Sequence, residues 1–164
     1  MLRYVIIDTG WGPFGLVAED DTVVATYLPG LAERLRKTLL AAWPQAKPAS
    51  GLLGDLRARI QAYFAGERVN FKAKLDLSRL TPFQRTVLRA CRRIPYGRTA
   101  SYADLARAAG RPAAARAVGG VMARNPVPLL IPCHRVVRRD GALGGFSSPQ
   151  GINQKRRMLA LEGL

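Results

Sequence analysis

His134, the only histidine of the chain, lies directly beside Cys133, one of only two cysteines, in the stretch Ile131-Pro132-Cys133-His134-Arg135-Val136-Val137. A thiol acts as a nucleophile in its thiolate form, and a cysteine with an ordinary pKa of about 8.5 is only slightly ionised at neutral pH. It needs a neighbouring base. His134 can serve, directly or through a water, once a third group, preferably a carboxylate, fixes its tautomer and orientation. Consecutive side chains of an extended segment point to opposite faces, so the pair also needs a bend. Pro132, at the end of the apolar run Val127 to Ile131, suits one. The bland alternative is a buried structural cysteine beside a histidine satisfied by the backbone.

Composition narrows the partner. The 164 residues suffice for one domain or two small ones, and 48% apolar content excludes wholesale disorder. The net charge of +15 is uneven: residues 1–77 carry 10 basic and 8 acidic side chains, residues 78–164 carry 16 and 3. A field concentrated in one half attracts polyanions, and without a long apolar span that points to nucleic acid rather than a membrane. The amino-terminal apolar run is too short for a signal peptide, so the expected location is cytoplasmic, with reduced cysteines. One histidine and two cysteines cannot build a conventional four-ligand zinc site, and neither metal nor cofactor is expected.

The elements that must position the pair are legible in outline. Tyr4 to Ile7, Phe14 to Ala18 and Thr22 to Leu28, separated by turn residues, predict an antiparallel meander. Leu31, Leu35, Leu39 and Trp43, then Leu52, Leu56, Ile60 and Phe64, recur at helical spacing. Residues 66–80 lack a period and read as a linker between an α+β domain over 1–77 and a second domain over 78–164. Thr81-Pro82-Phe83-Gln84 is a capping box opening a helix to about Arg93, with Phe83, Val87 and Cys91 on one face, so Cys91 reads as core. Ser101-Tyr102-Ala103-Asp104 opens a second helix, and a third spans about Ala113 to Ala123 after Gly110-Arg111-Pro112. Two short helices about a tight turn make a helix-turn-helix. The second exposes Ala115, Ala117 and Gly119 beside Arg116, with Arg124 at its end, the small residues that close approach to another backbone requires. A last amphipathic helix over Ile152 to Leu161 is expected to turn Lys155, Arg156 and Arg157 outward.

Taken together, Arg116-Ala117-Val118-Gly119-Gly120, Asn125-Pro126-Val127-Pro128, the Cys133 stretch and Leu161-Glu162-Gly163 closely resemble the O6-alkylguanine-DNA alkyltransferases, densely from about Leu75 onward, in their compact stand-alone form. The resemblance implies an α+β protein of two small domains: an amino-terminal ribonuclease-H-like sheet with helices, then a mainly helical domain with a helix-turn-helix. It implies that Cys133 takes an alkyl group irreversibly from O6 of guanine, or from O4-alkylthymine, in double-stranded DNA. His134 would act through water as base, Glu162 would orient it, Asn125 would organise the network, and Tyr102 would donate a proton or hydrogen bond to the guanine. Because the target atom is inaccessible in a stacked duplex, the nucleotide is flipped out. Arg116 would fill the gap from the minor groove, with Ala115, Ala117, Gly119, Arg124 and Arg135 as further DNA contacts. Carbonyls of Cys133 and Val136 and the Ser147 amide would hold the base, with Pro128 and Phe146 as pocket walls. The implied state is a monomer that can cluster on DNA.

Three other classes compete. A damage sensor of the alkyltransferase-like kind lacks the reactive cysteine that Cys133 supplies. A plain helix-turn-helix regulator leaves Cys133, His134 and Glu162 unexplained, and a thiol hydrolase has no use for so basic a domain.

Overall fold

Apolar residues recur across Leu2–Thr9 (β1), Gly12–Glu19 (β2) and Thr22–Tyr27 (β3), and these strands form an antiparallel meander. The computed structural model describes residues 1–146 and 148–164. Ala32–Ala42 (α1) and Gly54–Phe64 (α2) pack on β2 and β1 respectively. Leu39 of α1 is fully buried in a cluster with Tyr4, Val17, Val24 and Ala25. Two short parallel strands, Lys47–Pro48 (β4) against β1 and Lys74–Leu75 (β5) against β3, complete the sheet order β4-β1-β2-β3-β5. The 66–80 stretch, expected to be a linker, therefore carries an edge strand. Two ladder residues are too few to leave a period in the sequence.

The chain divides into two compact units, Met1–Asp76 and Leu77–Leu164. The second opens with Pro82–Arg92 (α3), whose Thr81 and Gln84 side chains each accept from the other's backbone N–H. Cys91 on α3 is fully buried. Ala100–Ser101 (β6) leads into Tyr102–Ala108 (α4), where Ser101 and Asp104 form the same reciprocal cap. Gly110, at φ +75°, makes the turn to Ala115–Ala123 (α5), and α3, α4 and α5 pack on one another. α5 starts two residues later than expected because Arg111 and Ala114 close a separate turn, Ala114 N–H donating to the Arg111 carbonyl at 2.9 Å. A 3-10 turn over Cys133–Arg135 runs into Val136–Val137 (β7), parallel to β6, and Gly151–Leu161 forms α6.

One expectation for α6 is overturned. Arg156 and Arg157 are exposed, but Lys155 is fully buried with Gln154, Met158 and Leu159. Among the described residues no helix is long and apolar enough to cross a membrane.

Candidate active site

The bend that the Cys133-His134 pair requires is built by the segment before it. Asn125, just after α5, accepts from Val127 N–H at 3.0 Å through Oδ1 and donates to the Ile131 carbonyl at 2.9 Å through Nδ2. Leu129 is held at φ +75°, a left-handed conformation that costs a non-glycine residue about 1–2 kcal/mol, and Ile131 N–H closes the turn on the Val127 carbonyl at 3.0 Å. Cys133 then starts the 3-10 turn, in which successive side chains diverge by about 120° rather than opposing each other.

His134 is fully buried, and its Nε2 donates to Glu162 Oε2 at 2.6 Å. A carboxylate on Nε2 selects the tautomer that leaves Nδ1 as the basic nitrogen. Glu162 is itself gripped from three further directions: Arg135 Nε at 2.8 Å, Arg135 Nη2 at 3.2 Å and Gly97 N–H at 3.0 Å. Burial alone would raise its pKa, but hydrogen bonds from His134 and Arg135 hold it at about 2. With that charge matched by Arg135, burial lowers the His134 pKa below the ordinary histidine value. The resting pair is a neutral imidazole against an ionised carboxylate.

Burial pushes the Cys133 thiol above its ordinary pKa, while the Asn125 side chain, the Lys155 charge and the local backbone N–H groups pull it back. Lys155 donates to the carbonyls of Val136 at 2.7 Å, Leu143, and Gly145 at 3.5 Å, and its Nζ lies 5.8 and 5.9 Å from the Tyr102 and Phe146 ring centres. Burial lowers its pKa to about 8. Sequence reasoning missed this residue, although Lys155, Met158, Leu159 and Glu162 follow the 0, 3, 4, 7 spacing of one helix face.

Cys133 opens on a cavity of about 780 Å³, within the roughly 300–1,000 Å³ usual for ligand sites. Tyr102, Asn125, Pro128 and Phe146 line it, as do Ala115, Arg116 and Gly119 of α5. Tyr102 lies between two glycines. A Cβ on Gly119 would sit 4.0 Å from its ring, and one on Gly144, at φ +73°, would sit 2.6 Å from its hydroxyl. Ala117 and Arg124 are exposed and outside the lining.

For Arg135 the structure gives another role than the expected one, and for Val136 it shows a further partner. Arg135, expected to contact DNA, is 7% exposed, with its guanidinium committed to Glu162 and, through Nη1, to the Ile94 carbonyl at 2.8 Å. No phosphate can reach it. Val136, expected to offer its carbonyl to a base, is buried outside the cavity lining, and that carbonyl accepts from Lys155. The expectation for the Ser147 amide lies outside the described residues.

A family model described as 6-O-methylguanine DNA methyltransferase, DNA binding domain, matches residues 82–164. The Mycobacterium tuberculosis methylated-DNA–protein-cysteine methyltransferase is 40% identical over 162 residues, covering 99% of this chain and 93% of its own. The chain belongs to the methylated-DNA–protein-cysteine methyltransferase family. A Methanosarcina acetivorans member of that family is 33% identical with 99% of both chains covered. Among solved structures, the family's Mycobacterium tuberculosis OGT in complex with DNA superposes with a TM-score of 0.83 at 37% identity, over 98% of this chain and 92% of that one. The Pyrococcus kodakaraensis O6-methylguanine-DNA methyltransferase gives 0.75 at 25% identity over the whole of both chains.

Proposed function

We propose that this protein repairs DNA by a single, irreversible transfer of an alkyl group, methyl above all, from O6 of guanine in double-stranded DNA to Cys133. One observation carries the reading: the Cys133 thiol faces a cavity of ligand size and is backed by a buried His134–Glu162 contact of 2.6 Å, in a chain of this family. The thiol proton passes to His134 Nδ1, directly or through water. Sγ bonds to the alkyl carbon as the carbon–O6 bond breaks, and its electron pair stays on the guanine. The Tyr102 hydroxyl gives a hydrogen bond or proton to the base, and solvent carries the proton from His134 to the guanine anion or, where Tyr102 has given its own, back to the Tyr102 oxygen. The products are a thioether and intact guanine, so the protein is consumed and needs no cofactor.

Residues 78–164 carry binding and transfer in this reading, with 1–77 a separate α+β domain. α5 approaches the minor groove, Arg116 fills the place of the extruded nucleotide, and Ala115, Ala117, Gly119 and Arg124 lie along the same contact. The exposure of Arg116 and its place in the cavity lining support that role. Pro128 and Phe146 bound the base, and Asn125 steadies the thiol. O4-alkylthymine fits the same chemistry. The protein acts in the cytoplasm as a monomer that can cluster on DNA.

Intact-protein mass spectrometry after incubation with a slight excess of duplex holding one O6-methylguanine tests this. One added methyl, mapped to Cys133 and absent in Cys133→Ser, is expected. Tight, damage-selective binding without a mass change would make the protein a sensor instead.

A further inference from the structure

With Arg135 buried, a second cation of the same segment, three positions on, stands at the cavity. Arg138 lines the cavity together with Tyr102 and Cys133. It also lines an adjoining depression of about 420 Å³, and among the described residues Tyr102 and Ala115 share both linings with it. Backbone register explains this placement. β6 and β7 pair Ala100 with Val136 and Ser101 with Val137, so the next residues of the two parallel strands, Tyr102 and Arg138, leave the ladder side by side. The turn beyond is closed. Arg138 N–H donates to the Ala142 carbonyl at 2.8 Å, and Gly141, at φ +87°, donates to the Arg138 carbonyl at 2.9 Å. Asp140 Oδ1 accepts from Ala142 N–H at 3.0 Å, and Oδ2 lies 3.5 Å from Arg138 Nη2.

When the carbon–O6 bond breaks, its electron pair stays on the guanine and negative charge builds up against the Tyr102 hydroxyl. Among the described residues lining the cavity, the charged side chains are Arg116 and Arg138. Arg116 is assigned to the duplex gap, and Lys155, 5.8 Å from the Tyr102 ring centre, is buried and committed to backbone carbonyls, which leaves Arg138 as the cavity-lining cation beside Tyr102. We propose that Arg138 is a positioning residue for the transfer step: acting through the Tyr102 hydroxyl, its guanidinium steadies that donor and offsets the charge growing on the departing base. This rests on the alkyl-transfer reading. Burial and the neighbouring Cys133 push the Tyr102 hydroxyl above its ordinary pKa, and Arg138 works in the opposite direction. The Arg138 side chain is 62% exposed, so water screens its field in the free protein. Duplex laid over the mouth displaces that water, and the effect belongs to the bound complex.

The test is single-turnover transfer from O6-methylguanine duplex with protein in excess, separating the limiting rate from the dissociation constant at several salt concentrations. Arg138→Gln is expected to lower the limiting rate about tenfold. Arg138→Lys should stay within about threefold of wild type, because a point charge suffices where no bidentate fork is used. An unchanged limiting rate in Arg138→Gln, with weaker binding and a salt slope reduced by about one phosphate, would overturn the proposal in favour of a backbone contact. Equal losses in the Gln and Lys variants would overturn it as well. If wild type itself takes up no methyl, the alkyl-transfer reading fails and this proposal with it; an active wild type beside an equally active Arg138→Gln sinks this proposal alone.

Discussion

Glu162 gathers bonds from two places far from it in the sequence, Gly97 and the adjacent pair His134 and Arg135, and its chemistry is set by being held from every side. Its carboxylate takes bonds from His134, Arg135 and Gly97 while wholly out of solvent. Glu162→Gln keeps the shape but removes the charge that fixes the His134 tautomer and leaves Arg135 buried without a counter-ion. Single-turnover transfer should fall by a factor on the order of a hundred or more, the range of general-base contributions. Loss of one member of a buried pair should also cost about 3 kcal/mol in urea unfolding. The same residue sets an acid limit. Its folded pKa of about 2 lies below the ordinary 4.5, so its stabilisation is complete above about pH 4.5 and fades as pH falls toward 2. His134, lowered by burial, acts in the same direction from its ordinary 6.5 downward, because the unfolded chain takes up the proton first. Urea midpoints should therefore fall steadily from pH 7 to pH 3, and Glu162→Gln should flatten the part below 4.5. A wild-type midpoint independent of pH over this range would show that the buried pair is not linked to folding.

At the scale of elements, α4 matters because Tyr102 is its first residue, directly after the Ser101 cap and the β6 ladder. Ser101→Ala removes the side-chain acceptor for Asp104 N–H, at 3.0 Å, and should cost about 1 kcal/mol of unfolding free energy. Because the lost cap loosens the residue that bears the phenol, transfer should slow as well; a stability loss with an unchanged rate would mean that β6 and the flanking glycines alone hold Tyr102. Both capping boxes, the meander and the apolar face of α3 were legible in the sequence, since each is written in neighbouring residues with a fixed spacing. What could not be read is written in long-range pairing. The two-residue strands β4 to β7 exist only through their partners, and β6–β7 is the pair that sets Tyr102 beside Arg138. Arg135 and Lys155 look like surface cations by type. Their burial depends on a carboxylate 27 residues away in one case and on carbonyls of the 136–145 segment in the other. Cys133 and His134 stood out by their types and adjacency and Glu162 joined them through motif resemblance, whereas the grip of Gly97 and Arg135 on Glu162 is written only in the folded structure.

For the whole molecule, the distribution of charge decides how DNA is met. Of the 16 basic side chains in residues 78–164, Arg135 and Lys155 are buried, and the other fourteen, all arginines, reach solvent. Asp104 and Asp140, the two acids of that segment outside the active site, already sit against Arg107 and Arg138. A surface of this kind binds phosphates by releasing their counter-ions, so log affinity for undamaged duplex should fall linearly with log salt, with a slope of about −0.9 per phosphate engaged. In the proposed mechanism damage recognition adds a term of another kind, the cost of extruding the nucleotide, which a counter-ion slope does not contain. Arg116→Ala separates the two. If that side chain occupies the vacated space, its loss should slow repair in duplex several-fold while transfer from single-stranded substrate, whose bases need no extrusion, stays near wild type. The salt slope should meanwhile change by less than one phosphate. Parallel rate measurements on the two substrates at fixed ionic strength decide the matter. Equal slowing on both, accompanied by a shallower salt slope, would make Arg116 one more phosphate contact and leave extrusion to the rest of α5.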